Sequence, residues 1–178
     1  MKKTMIRITL AAIAFAAMAS AQNVSYNFAS EVNFAKFKSH KWVEIPGGVK
    51  LDDITVNQLN TALDAELAKK GLTKTDSDTA DLYVGYQVAI TQEREITSYN
   101  SGWGYGPRWG GGMSTATSST LHIGSMALDI YETAPKHLVW RGVVTKTIDT
   151  GAKPDKRQKN IQKGVTKLLK NYPPKPKK

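Results

Sequence analysis

Two hydrophobic rhythms divide the chain. In residues 80–90, "ADLYVGYQVAI", Ala80, Leu82, Val84, Tyr86, Val88 and Ile90 recur at every second position, while Asp81, Tyr83 and Gln87 fall between them. That period is a strand with one covered and one wetter face, as in an antiparallel sheet. Residues 24–28 and 41–45 read as shorter strands, the second stopped by Pro46-Gly47-Gly48. Phe34, Phe37 and Trp42 are expected to pack inward. Residues 121–131 form a further strand whose apolar positions change parity, from Leu121 and Ile123 to Met126, Leu128 and Ile130. A bulge at Gly124-Ser125 would repair that register. Residues 138–148 return as the last strand, apolar on both faces at its start and therefore expected inside the sheet.

Helical spacing governs two other segments. In 53–70, Val56, Leu59, Leu63 and Leu67 make one stripe, with Asp52 or Asp53 available as cap and Lys69, Lys70 and Gly71 suited to the other end. In 154–172, Ile161, Val165, Leu168, Leu169 and Tyr172 share a face. Lys156, Lys159, Lys163, Lys167 and Lys170, spaced 3, 4, 4 and 3 apart, centre on the opposite face. Pro154 fits the first turn and Pro173-Pro174 ends the helix. The order strand, strand, helix, three strands, helix predicts an α+β fold. It would be a two-layer sandwich of a mainly antiparallel sheet of about five strands with two helices on one face.

The chain ends change the picture. Lys2, Lys3 and Arg7 precede the apolar run 8–18, and Ala19-Ser20-Ala21 offers small residues for cleavage. Residues 1–21 therefore read as a signal peptide cut after Ala21, which predicts a periplasmic or secreted protein. The apolar run is shorter than the ~20 residues of a membrane span, and no later run is long enough, so no transmembrane helix is expected after signal removal. The chain has no cysteine, which excludes disulfides, thiolate metal sites and a lipid-bearing cysteine. Residues 22–172 then form a single α+β domain with a Gly/aromatic loop at 99–118, and 173–178 is a basic Pro/Lys tail. Residues 153–178 hold ten bases and one acid, whereas 22–152 hold twelve bases and fourteen acids. A near-neutral body thus carries a cationic closing arm, which points to an anionic partner.

Several segments together resemble a known family. "NFAKFKSHKW" (33–42), "ADLYVGY" (80–86), "GSMALDIYETAPKHLVWRG" (124–142) and "IQKGVTKLLKNYPP" (161–174) are similar in content and order to domain-of-unknown-function family 4136, bacterial cell-envelope proteins that are mostly small lipoproteins. The resemblance implies an α+β fold and a periplasmic or outer-membrane location, and supplies no catalytic residue. This chain departs from the pattern in lacking the lipid-bearing cysteine.

Catalytic and metal chemistry find little support. His40, His122 and His137 have no ligand neighbours at helical spacing. "DSDTAD" (76–81) departs from a calcium loop at Ala80 and lacks the glycine and glutamate that such a loop requires. The stretch 106–111 resembles a phosphate loop only loosely, because Gly112 stands where the lysine belongs. Glu93 and Glu95 share a strand face and, with Asp129, are the carboxylates a hydrolase reading would use. No metal and no cofactor are expected. Two binding features remain: Trp103, Tyr105 and Trp109 among the loop glycines, and the stripe Lys156, Lys159, Lys163, Lys167 and Lys170. The reading is a non-enzymatic envelope domain whose basic arm meets an anionic envelope polymer, lipid headgroups or another envelope protein. Nucleic acid is not expected outside the cytoplasm. A carbohydrate-binding module using Trp103 and Trp109, and a hydrolase, are the alternatives.

Overall fold

The computed structural model describes residues 23–99, 115–134 and 136–175. The expected leader 1–21 and the loop aromatics Trp103, Tyr105 and Trp109 lie outside the described residues. Six strands form one sheet: β1 (Asn23–Phe28), β2 (Ser39–Trp42), β3 (Thr73–Lys74), β4 (Leu82–Tyr99), β5 (Thr115–Glu132) and β6 (His137–Ile148). Two helices accompany them, α1 (Asp53–Lys69) and α2 (Pro154–Leu168), the latter prolonged by a 3₁₀ turn at Leu169–Asn171. The sheet order is β1-β6-β5-β4-β2-β3. β6 lies between β1 and β5, inside the sheet as its two-sided apolar start predicts.

The α+β sandwich holds, with two refinements. The sheet is mixed, because β2 pairs in parallel with both β3 and β4. α1 is the crossover that returns the chain to run in β2's direction, which a tight hairpin cannot do. The long strands are longer than their periodic cores. β4 reaches Tyr99 and β5 starts at Thr115, so their connection shrinks from the expected 99–118 to 100–114.

The expected bulge at Gly124-Ser125 is absent. The ladder there is continuous on both sides, with Gly124 opposite Ile90 and Lys146 and Ser125 opposite Ala89 and Thr145. Leu121 and Ile123 therefore face the side away from the helices. The glycine serves close approach instead: a Cβ on Gly124 would lie 2.7 Å from Ile148 Cδ1. The register shift falls between Ile130 and Tyr131, where β6 carries Val139 as an extra residue between the partners Trp140 and Leu138. Val139 and Trp140 are adjacent in sequence and both fully buried.

One apolar core joins the sheet to both helices. α1 contributes Leu59, Leu63 and Leu67, and α2 contributes Val165 and Leu168, against Leu82, Val84, Leu128, Ile130 and Trp140. Each fully buried leucine contributes roughly 1.5–3 kcal/mol. α1 starts where Asp52 accepts a hydrogen bond from the Thr55 amide at 2.9 Å and another from its hydroxyl at 2.7 Å. Trp140 lies edge-on to Tyr172, ring centres 5.4 Å apart, and Phe34 meets Tyr172 from another side at 5.9 Å. Phe37 is buried and Trp42 half-buried, both inward as expected. Among the described residues, no helix is long and apolar enough to cross a membrane.

Candidate functional site

α2 divides its two faces as its spacing requires. Val165, Leu168, Leu169 and Tyr172 are buried and Ile161 half-buried. Lys156, Lys159, Lys163, Lys167 and Lys170 are all exposed. Among the described residues, only Lys156 of these five has a carboxylate partner, Asp149 at 2.8 Å. The structure thus brings the five predicted lysines onto one solvent-facing surface.

A sixth lysine adjoins them, and it was not singled out from the sequence. Lys146 sits on β6 two residues beyond Val144, in the register that faces the helices. Its ammonium donates to Asn160 Oδ1 at 2.8 Å. Burial draws the Lys146 ammonium below the usual lysine range. Lys163, Lys156 and Lys167 push the same way and Asp149 opposes them. The signal available in the sequence was a lysine in a position that period two assigns to the covered face.

Lys146 borders a cleft. Where the sheet runs past the first turns of α1 and α2, the two layers border an open cleft of about 490 Å³. Val88, Ile90, Met126, Val144, Leu59 and Ile161 supply apolar wall. Gly124 on β5 and Gly164 within α2 also line it, both without a side chain to fill it. Its end is closed by the 149–152 turn, held by Arg157 Nε donating to the Ala152 carbonyl at 2.9 Å. The volume falls within the ~300–1,000 Å³ common for small-molecule sites.

The carboxylates considered for hydrolysis are dispersed. Glu93 and Glu95 are exposed on β4. Asp129 faces Gly85, eight residues before Glu93, hence ~27 Å away along the strand. Both Asp129 oxygens accept from Arg141. The acidic stretch 76–81 is likewise committed to structure. Asp78 accepts from Lys41 Nζ at 2.5 Å, and Asp81 Oδ2 accepts from the amides of Lys38 and Ser39 at 2.8 and 2.9 Å.

The fold and this cationic surface define a small α+β sandwich with one amphipathic helix and an apolar cleft. The chain belongs to the family described as domain of unknown function DUF4136, matched over residues 24–174. No curated protein matches it. Among solved structures it is similar to a PDZ domain protein from Parabacteroides distasonis, with TM-score 0.54 and 14% identity over 86% of this chain and 36% of that one. The chain therefore spans about a third of that protein's length. It also aligns with a PelC dodecamer from Paraburkholderia phytofirmans, TM-score 0.49 and 9% identity, covering 84% of this chain and 96% of that one. At such identities the likeness to the first concerns the fold alone.

Proposed function

We propose that this chain is an exported, non-enzymatic domain of the cell envelope that holds an anionic envelope component against the lysine face of α2. The leader-like residues 1–21 and the envelope location that the family resemblance implies support the location. One observation carries the binding role. Four of the five exposed lysines on α2 and its 3₁₀ extension have no carboxylate partner among the described residues, while Val165, Leu168 and Leu169 on the other side are buried in the core. Clustered like charges destabilise the free protein slightly, and an anionic surface relieves that repulsion.

The test uses residues 22–178 and vesicles with phosphatidylglycerol or with phosphatidylcholine alone. Binding to the anionic vesicles is expected to fall sharply between about 0.01 M and about 1 M salt, as the screening length drops from ~30 Å to ~3 Å. Replacing Lys159, Lys163 and Lys167 together by Gln should abolish it. Equal binding to neutral vesicles, or binding indifferent to salt, would overturn the reading.

A further inference from the structure

We infer that the cleft between the sheet and the first turns of α1 and α2 is a binding site for a single-chain fatty acid, its carboxylate received by Lys146. Four charged side chains line the space: Asp52, Lys146, Asp149 and Arg157. Three are engaged within the protein. Asp52 caps α1 through Thr55. Asp149 accepts from Lys156 at 2.8 Å, and Arg157 donates to the Ala152 carbonyl. Among the described residues both cations have only neutral partners: Arg157 is turned to the Ala152 and Thr150 carbonyls of the turn at the end of the cleft, and Lys146 to Asn160 alone.

An ammonium offers three donors, and Asn160 takes one. The two that remain suit the two oxygens of a carboxylate. Lys163, Lys156 and Lys167 stand around Lys146 and add positive potential, with Asp149 the opposing charge. An anion is therefore the missing partner, while the surrounding side chains ask for hydrocarbon. Ile90 and Ile148 border the same cleft and remain 42% and 37% exposed, an apolar opening that an acyl chain would cover. A cavity of about 490 Å³ beside one ammonium with a single bond, to Asn160, among the described residues fits one chain with one charge.

The lysine face of α2 adds only surrounding potential to this site and no contact with the ligand, so its test is separable from the vesicle test. Residues 22–178 are titrated with the fluorescent fatty acid cis-parinaric acid, then challenged with palmitate, methyl palmitate and octanoate. Saturable one-to-one binding is expected, displaced by palmitate and much less by the ester or the short acid. Lys146→Met keeps the aliphatic stem and should weaken the acid about tenfold or more, leaving the ester unchanged. Asn160→Asp supplies an internal counter-ion to Lys146 and should weaken the acid by a similar factor, with thermal melts confirming both variants fold. The Lys159, Lys163 and Lys167 triple variant should keep saturable fatty-acid binding, weakened far less than in Lys146→Met because it removes only surrounding potential. Absence of saturable binding, equal affinity for acid and ester, unchanged affinity in both Lys146→Met and Asn160→Asp, or loss of binding in the triple variant would each overturn the inference.

Discussion

Asp129 and Arg141 face each other across β5 and β6 on the helix-free side of the sheet. Arg141 Nε and Nη2 each donate to a different Asp129 oxygen at 2.5 Å. The pair is asymmetric: Asp129 is 1% exposed and the Arg141 side chain 48%. Water can hydrate the guanidinium if its partner is lost, but it cannot reach the carboxylate. Arg141→Met is therefore expected to destabilise by about 2 kcal/mol, less than the ~3–5 kcal/mol of a wholly buried pair. Asp129→Asn, which keeps an acceptor for Arg141, should cost about half as much. Urea unfolding of the two variants decides; equal losses would mean the burial asymmetry has no energetic weight.

Two glycines separate backbone from packing. Gly71 follows α1 at φ +86°, and a Cβ there would meet nothing within 4 Å. Gly71→Ala should therefore cost only the left-handed penalty, about 1–2 kcal/mol. Gly142 is the opposite case. A Cβ there would lie 2.3 Å from the Trp140 ring and 2.8 Å from Leu168 Cδ1. Gly142→Ala must displace the fully buried Trp140, at about 2–3 kcal/mol. Near-ultraviolet circular dichroism distinguishes them: the Trp140 signal should change in Gly142→Ala and persist in Gly71→Ala.

His40 gives the fold a pH dependence whose sign follows from its burial. It is 1% exposed, and its Nε2 lies 3.5 Å from Asp64 Oδ1 without a well-formed hydrogen bond. Burial lowers its proton affinity below the usual histidine value, Asp64 opposes this, and Lys74 adds slightly to it. Its pKa is thus lower in the folded than in the unfolded chain, so below about pH 6.5 the unfolded chain binds the extra proton. Stability is full above that value and declines as pH falls toward the folded pKa, by up to about 1.4 kcal/mol per pH unit. His40→Phe should flatten the change in urea midpoint between about pH 7.5 and about pH 5.5, relative to wild type. An unaltered slope would assign the dependence to other groups.

Periodicity made the core legible, and it failed where pattern and environment part company. The period-two run 80–90 and the stripes of both helices identified the residues that meet in the core, because burial there is what selects them. β4 beyond Ile90 was legible only in part: Glu93 and Glu95 could be set on a strand face, but Thr91 to Glu95 are exposed, and a strand solvated on both faces leaves no alternation to mark its extent. The parallel pairing of β2 with β4 depends on where the α1 crossover returns, which is a long-range property. Gly124 looked like a bulge because a parity change has two explanations, and only the contact with Ile148 chooses between them. The lysine face was plain from spacing alone. The cleft was not, since a lysine on a covered strand face is conspicuous only once the space left between the helices and the sheet is known.

The union of the two helices rests on a polar contact as well as an apolar one. Glu66 of α1 is 5% exposed, and its Oε1 accepts from Thr166 Oγ1 of α2 at 3.0 Å, from Lys69 at 2.8 Å and from Gln162 at 3.4 Å. The Lys69 ammonium, followed by Thr166, holds the Glu66 carboxyl below the ordinary glutamate range against the effect of burial. Removing one donor from a buried carboxylate leaves desolvation uncompensated, whereas replacing both groups by apolar ones of similar shape removes the requirement. Thr166→Val alone is therefore expected to destabilise by about 1–2 kcal/mol. Combined with Glu66→Leu, it should cost less than the sum of the two single changes, with a coupling of at least about 0.5 kcal/mol. A double-mutant cycle measured by urea unfolding reads that coupling directly. Strict additivity would show that Glu66 is sustained by Lys69 and Gln162 without Thr166, and that the Thr166 contact adds nothing to the apolar union of the two helices.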